Sequence, residues 1–166
     1  MKHPAIAGAV KATAERISDS ILARSGAEFS LVYLREGATD NMTIVAHSGG
    51  FPGARMIRKL DFRVGQKGTG GPVTASGIAR LCNDYLLEYP DSPFRGIALE
   101  VGVRSLVIAP MGPKGRASGC LYLIHRQPNR FTPEDRERLE AAADLAEIAV
   151  DNALAAARAG GRRRLR

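Results

Sequence analysis

Apolar positions recur at helical spacing near both ends of the chain and alternate in short runs between them. In residues 4–24, Ile6, Val10, Thr13, Ile17 and Ile21 fall three or four positions apart, the stripe of an amphipathic helix, with Gly26 just past its end. Phe29, Leu31 and Tyr33 alternate with Ser30, Val32 and Leu34, a strand covered on both faces. A turn-forming run over 36–41 leads into a second strand over 43–47. Two further strands are predicted over 105–111 and 118–125, joined by Gly-Pro-Lys-Gly-Arg. Thr132-Pro133-Glu134-Asp135 then supplies an N-cap, a proline at the first helical position and an acid near a capping-box position. These start a helix predicted to reach about Ala157.

The middle of the chain breaks this regularity. Residues 48–53 are irregular, and Met56, Ile57, Leu60, Phe62 and Val64 are compatible with either a short helix or an extended connection into a strand. Gly65, Gly68, Gly70 and Gly71 crowd together, and Thr69 or the residues after it are expected to cap a short helix ending at Ser76, with Gly77 as its stop. A short strand over 78–82 leads to Asn83-Asp84-Tyr85 and a loop containing Pro90, Asp91, Ser92 and Pro93. A short helix over 95–101 follows, with Gly102 past its end. The order helix, two strands, irregular middle, two strands, helix predicts an α+β domain. In it an antiparallel sheet carries the N- and C-terminal helices on one face and a pocket covered by loops and short helices on the other.

The final helix is apolar over too wide an arc for one buried face. Leu139, Ala142, Ala146, Ala149 and Ala153 share a stripe, flanked by Leu145, Ile148 and Val150. The first helix is similarly rich in small residues. The expected arrangement is a homodimer in which the two terminal helices pack on the same pair of a second copy, through Ile6, Val10, Ile17, Ala142, Ala146, Ala149 and Ala153.

Charge changes this picture little. The chain of 166 residues carries 24 Lys and Arg against 17 Asp and Glu, a net +7. However, Arg158, Arg162, Arg163, Arg164 and Arg166 all follow Ala157, leaving a nearly neutral body, residues 1–157, and a basic tail or linker, residues 158–166. Arg55, Arg58, Lys59, Arg63 and Lys67 form the other basic concentration and read as a solvated face. Nucleic acid is expected to meet only unspecific attraction to the tail, which lacks an aromatic platform. Neither a leader of signal-peptide pattern nor a membrane-length apolar run is visible, and Cys82 and Cys120 are not a secreted disulfide framework, so a cytoplasmic location is expected.

The candidate chemistry is sparse. The glycine cluster is no phosphate cradle, since Lys67 precedes Gly68 and Pro72 follows where a P-loop needs Gly-Lys-Ser/Thr. His47 and His125 fall at or near strand ends and His3 in the N-terminal tail, so no axial haem ligand is set in an apolar cavity. Cys82 and Cys120 lack zinc-ligand spacing, and a bilin on Cys82 finds no supporting histidine nearby. No cofactor or metal is expected, only an unidentified small molecule. Its pocket is predicted around Phe62, Tyr85, Tyr89, Phe94, Ile97, Ala98 and Val101, apolar or amphipathic groups on irregular segments.

Several motifs also carry a resemblance. Gly65, Gly68 and Gly70 stand before a short helix and Asn83-Asp84-Tyr85 after a strand. Gly102-Val103-Arg104-Ser105 leads into 106–110, Gly119-Cys120-Leu121-Tyr122-Leu123 follows, and Arg130-Phe131 with Asp135 opens the last helix. Together these resemble a GAF domain, the small-molecule sensing module related in shape to PAS domains. The resemblance implies a pocket between the sheet and the irregular middle, where relatives bind cyclic nucleotides, bilins, haem, small aromatics or nothing. It adds Cys82, Asn83, Asp84, Arg104, Ser105 and Tyr122 to the expected contacts. Asn129, Arg130, Phe131 and Asp135 partly match the signature of cyclic-nucleotide-binding relatives, but Arg136 stands where its final acid would be.

Some stand-alone GAF proteins reduce free methionine sulfoxide through cysteines. Where those have Ile-Ala-Cys-Asp, this chain has Ile97-Ala98-Leu99-Glu100, and Leu99 is no nucleophile. The expectation is therefore a regulatory domain for signal transduction or transcription regulation, passing a ligand signal through dimer packing to a downstream effector. The alternatives are a thiol-dependent small enzyme and a dimerising scaffold without ligand.

Overall fold

The computed structural model describes residues 4–52 and 54–163, with the side chains of 4–6, 54, 55 and 163 left aside. His3, Arg164 and Arg166 and the side chains of Ile6, Arg55 and Arg163 therefore lie outside the described residues. The chain runs α1 (Pro4–Ala23), β1 (Phe29–Arg35), β2 (Asn41–Ser48), α2 (Ala54–Ile57), a 3₁₀ turn (Arg58–Leu60) and β3 (Phe62–Arg63). It continues through α3 (Gly70–Ser76), β4 (Arg80–Cys82), α4 (Tyr85–Glu88), α5 (Arg95–Val101), β5 (Ser105–Met111), β6 (Gly119–His125) and α6 (Pro133–Arg163). The strands form one six-stranded sheet in the order β3-β2-β1-β6-β5-β4, and every neighbouring pair is antiparallel.

Strand alternation sorts the core into two layers. Val32, Leu34, Val107, Ala109, Met111, Leu121 and Leu123 face α1 and α6, meeting Ala14, Ile21, Leu139, Ala143, Ala146 and Val150. Phe29, Leu31, Tyr33, Leu106, Ile108, Cys120, Tyr122 and Ile124 face the other way, under Phe62, Val73, Tyr85, Ala98 and Val101. Burying one side chain such as Leu139 contributes about 2 kcal/mol, so both layers are needed to hold a sheet whose central strands are covered on both faces. This is the predicted α+β architecture, helices on one side and the irregular middle on the other.

A buried serine chain ties α1 to the sheet. Ser30 Oγ donates to the Ser18 carbonyl at 2.8 Å and lies 2.7 Å from Ser18 Oγ. Ser48 Oγ reaches Ser18 Oγ at 3.0 Å and also bonds Asp19. These hydroxyls satisfy one another where an unpartnered group would cost about 1–3 kcal/mol. The register also shifts between Val32 and Tyr33 against β2, a bulge that strengthens local twist beside the cavity.

Several local expectations are corrected. The last helix does not stop near Ala157 but continues to Arg163, so Gly160 and Gly161 are helical and not a break. Its start is the predicted reciprocal box: Thr132 N–H donates to Asp135 Oδ2 at 2.7 Å and Asp135 N–H to Thr132 Oγ1 at 3.3 Å. The undecided stretch over 54–63 uses both options, a helical turn and then a two-residue strand. Thr69 precedes α3 without a capping hydrogen bond, while Gly77 ends it at φ 72° as foreseen. β4 begins at Arg80, two residues late, and β6 at Gly119. Between Asn83-Asp84 and the loop at 90–93 stands the one-turn helix α4, capped by Asp84, which accepts from Leu86 N–H at 3.3 Å.

Candidate functional site

The cavity-facing layer borders a small, half-open void of about 60 Å³. Its floor is Leu31 and Tyr33 from β1, Leu106 from β5, and Tyr122 and Ile124 from β6. Its roof is Leu60, Phe62, Thr69, Tyr85 and the segment from Phe94 to Val103. Tyr33 organises the floor: its ring lies 5.0 Å from Phe62 and 5.3 Å from Tyr122, centroid to centroid. Its hydroxyl donates to the Leu60 carbonyl at 3.0 Å, fastening the 3₁₀ turn over the void.

Burial keeps these phenols neutral. Tyr33 and Tyr122 are raised well above the ordinary tyrosine range, chiefly by loss of water and then by neighbouring acidic groups. Tyr85 is raised too, again mainly by desolvation, and donates to Ser92 Oγ. Among the described residues, no side chain lining the void carries a charge.

Of the residues expected at the pocket, Phe62, Tyr85, Phe94, Ile97, Ala98, Val101 and Tyr122 line it. Cys82, Asn83, Asp84, Tyr89, Arg104 and Ser105 do not. Arg104 grips Asp84 with Nε 3.2 Å from Oδ1 and Nη2 2.6 Å from Oδ2, which lowers the Asp84 carboxyl from its usual range. Ser105 Oγ donates to the Gln127 carbonyl at 2.7 Å, and the Asn83 carbonyl accepts from Asn129 N–H at 2.8 Å. Tyr89 stacks behind Tyr85 at 5.5 Å and takes a hydrogen bond from Arg80 at 3.0 Å. These groups knit the pocket rim together from outside it.

Sequence reasoning missed Leu31, Tyr33, Phe51, Leu60, Thr69, Val103, Leu106 and Ile124. The alternation in β1 and β6 held the signal for the strand residues, since Leu31 with Tyr33 and Tyr122 with Ile124 each share a face. Thr69 was hidden by its reading as a cap.

The thiols are poorly placed for chemistry. Cys82 and Cys120 are both free and buried. Both are pushed far up, Cys120 by burial and Cys82 by burial and then by Glu88, whose carboxylate accepts from its sulfur at 3.5 Å. Cys82 pairs with Leu106 on one side of β5, and Cys120 with Pro110 on the other. That offset is about 13 Å along the strand and about 10 Å across, too far for a disulfide. Among the described residues no cluster of His, Cys, Asp and Glu could hold a metal ion, and no helix is long and apolar enough to cross a membrane.

On the opposite face a groove of about 770 Å³ runs between α1 and α6, lined in part by Ile17, Ala142, Leu145, Ala149 and Ala153. Leu145 is 69% and Ile148 57% exposed. Ala146 reaches the groove floor but is only 3% exposed, packed inside its own chain. Val10, Ile17 and Ala142 are half-buried against the helix-side core.

One antiparallel sheet with the terminal helices behind it and a small, half-open apolar void before it defines an α+β module. A family model for the GAF domain matches residues 8–151, and the chain belongs to that family. No curated protein matches it by sequence. Among similar solved structures is the type II free methionine-R-sulfoxide reductase of Thermoplasma acidophilum, with TM-score 0.68 and 14% identity over 89% of this chain and 95% of that one. The free methionine-R-sulfoxide reductase of Neisseria meningitidis, in complex with its substrate, gives 0.69 and 20% over 92% and 87%. The GAF-B domain of DevS from Mycobacterium smegmatis gives 0.66 and 20% over 95% and 99%. At these identities the likeness is one of fold.

Proposed function

We propose that this GAF domain is a regulatory sensor: a small molecule occupies the cavity, and its presence is passed to the packing of α1 and α6 in a homodimer. The observation that carries this reading is that β1, β5 and β6 form the cavity floor with one set of side chains and the seat of α1 and α6 with the alternate set. A ligand that presses on Leu31 or Tyr33 acts on the strand whose next residues, Ser30 and Val32, hold the helices. It changes the dimer only as far as it binds one packing better than the other.

The exposed Leu145 and Ile148 supply the apolar surface that a second copy would cover. Because α6 continues to Arg163, it is the natural output lever of such a sensor. Signal transduction in the cytoplasm is the setting we assign, with a downstream effector and no cofactor. The reductase activity named for two of the similar structures is not part of this reading, because Leu99 replaces a cysteine of the resemblance and both thiols are buried and far apart. Native mass spectrometry of the purified protein tests the proposal by reading subunit count and bound small molecule together. A dimer whose dissociation shifts on ligand removal is expected, and a monomer at all concentrations would overturn it.

A further inference from the structure

The hydroxyls facing the void can be accounted for one by one. The Tyr33 proton goes to the Leu60 carbonyl and the Tyr85 proton to Ser92 Oγ. Thr69 Oγ1 and Tyr122 OH lie 3.3 Å apart, long for a bond between hydroxyls, whose usual separation is roughly 2.7–2.8 Å. Between them they hold two protons but share a single weak hydrogen bond, and neither has another partner among the described residues. One O–H is therefore left to be met from inside the cavity, where an unmet donor is costly. Gly70 lets the Tyr122 hydroxyl and the Phe62 ring pack against the α3 backbone, since a Cβ there would overlap both.

The remaining lining limits what can enter. A charged molecule would lose its water with no opposite charge among the described lining side chains to receive it. The void of about 60 Å³ is also well below the roughly 150 Å³ that admits benzene. Ring-sized ligands thus require the half-buried wall of Phe94 and Ile97 to give way.

We infer that the cavity selects a small uncharged molecule of a few heavy atoms, with an apolar body and a single oxygen that accepts a hydrogen bond from the Thr69–Tyr122 hydroxyl pair. This rests on the sensor reading above and names the chemistry of its ligand. Aldehydes, ketones and short alcohols share that chemistry.

The test compares acetone with acetate, nearly the same in shape but charged, by following tyrosine-ring and alanine-methyl NMR signals of the full chain during titration. Acetone is expected to shift the Tyr122 and Ala98 signals saturably and acetate to leave them unmoved. Tyr122→Phe or Thr69→Val alone leaves one hydroxyl proton to meet the ketone and should change acetone affinity little, whereas the double variant should weaken it about fivefold, the worth of one neutral hydrogen bond. Thr69→Val keeps the side-chain shape, and dispersed spectra will report that all three variants fold. Equal binding of acetate, no saturable response to acetone, or unchanged affinity in the Thr69→Val/Tyr122→Phe double variant would each overturn the inference. A different ligand that shifts the dimer without touching this pair sinks the inference alone. Acetone seated on the pair with no effect on dimer dissociation instead sinks the sensor reading.

Discussion

Arg104 holds Asp84 through two parallel hydrogen bonds, 3.2 Å and 2.6 Å long, while Asp84 also caps α4 by accepting from Leu86 N–H. One carboxylate thus joins the start of β5 to the helix that carries Tyr85 into the cavity. Its backbone neighbour repeats the link, since Tyr85 N–H donates to the Arg104 carbonyl at 2.6 Å.

The pair has a pH signature. The folded Asp84 carboxyl sits below its ordinary value, chiefly because of the hydrogen bond from Arg104, so the native state binds this proton less readily than the unfolded chain. Its stabilisation is present above the unfolded value of about 3.9 and is lost as pH falls through the lower folded one. Asp84→Asn should weaken the protein at pH 7 and flatten the acid limb of its stability profile, read by urea unfolding from pH 7 to pH 2. Asp84→Ala also removes the cap and should cost about 1 kcal/mol from that loss alone.

Cys82 and Cys120 predict the opposite limb. Both stay neutral in the folded chain because burial raises them, whereas an unfolded thiol ionises near about 8.5. Their contribution is complete below that pH and drains away as pH rises above it. A Cys82→Ala/Cys120→Ala variant should lose less stability between pH 8 and pH 10 than the parent. Intact-mass measurement at pH 8 should show no iodoacetamide adducts on native protein and one at each cysteine in denaturant. Rapid native alkylation would remove the view that these thiols are inert.

Gly71 and Gly65 separate two uses of glycine. A Cβ on Gly71 would overlap the Gln66 backbone, so Gly71→Ala should cost about 1–3 kcal/mol through overpacking. Gly65 stands at φ 80° with nothing near its missing Cβ. Gly65→Ala should therefore cost only the strain of a left-handed alanine, about 1–2 kcal/mol. Thermal unfolding of the two variants should rank Gly71→Ala as the less stable.

The helix groove yields a test that distinguishes folding from assembly. Leu145→Asp/Ile148→Asp places charges on exposed positions and should produce a folded monomer by sedimentation equilibrium, with thermal stability near that of the isolated protomer. Ala146→Arg should instead unfold the protomer, because Ala146 is packed within its own chain. An unchanged dimer in the double variant would move the interface elsewhere.

Periodicity and end signals were enough to read α1, both long strand pairs, α5 and the start of α6, because each depends on residues a few positions apart. Alternation in β1 even separated Leu31 and Tyr33 from Val32 and Leu34. What no local pattern contains is which side chains from distant segments share a void. Thr69 meets Tyr122, and Tyr33 meets Leu60, only once the sheet order brings β1 and β6 beneath α3 and the 3₁₀ turn. Asp84 and Arg104 were legible as motif members, but tertiary structure turned them toward each other and away from the cavity. The glycine pair near the end of α6 shows the same limit from the other side. Residues 158–166 read as a tail or linker, yet the helix runs on through Gly160 and Gly161 to Arg163, despite a helix cost of about 1 kcal/mol per glycine. The sequence by itself determined the elements, their two-faced strands and the glycine-rich middle, because those follow from local spacing. The cavity and the meeting of Thr69 with Tyr122 at its wall were decided by tertiary structure, because packing and desolvation belong to assembled surfaces.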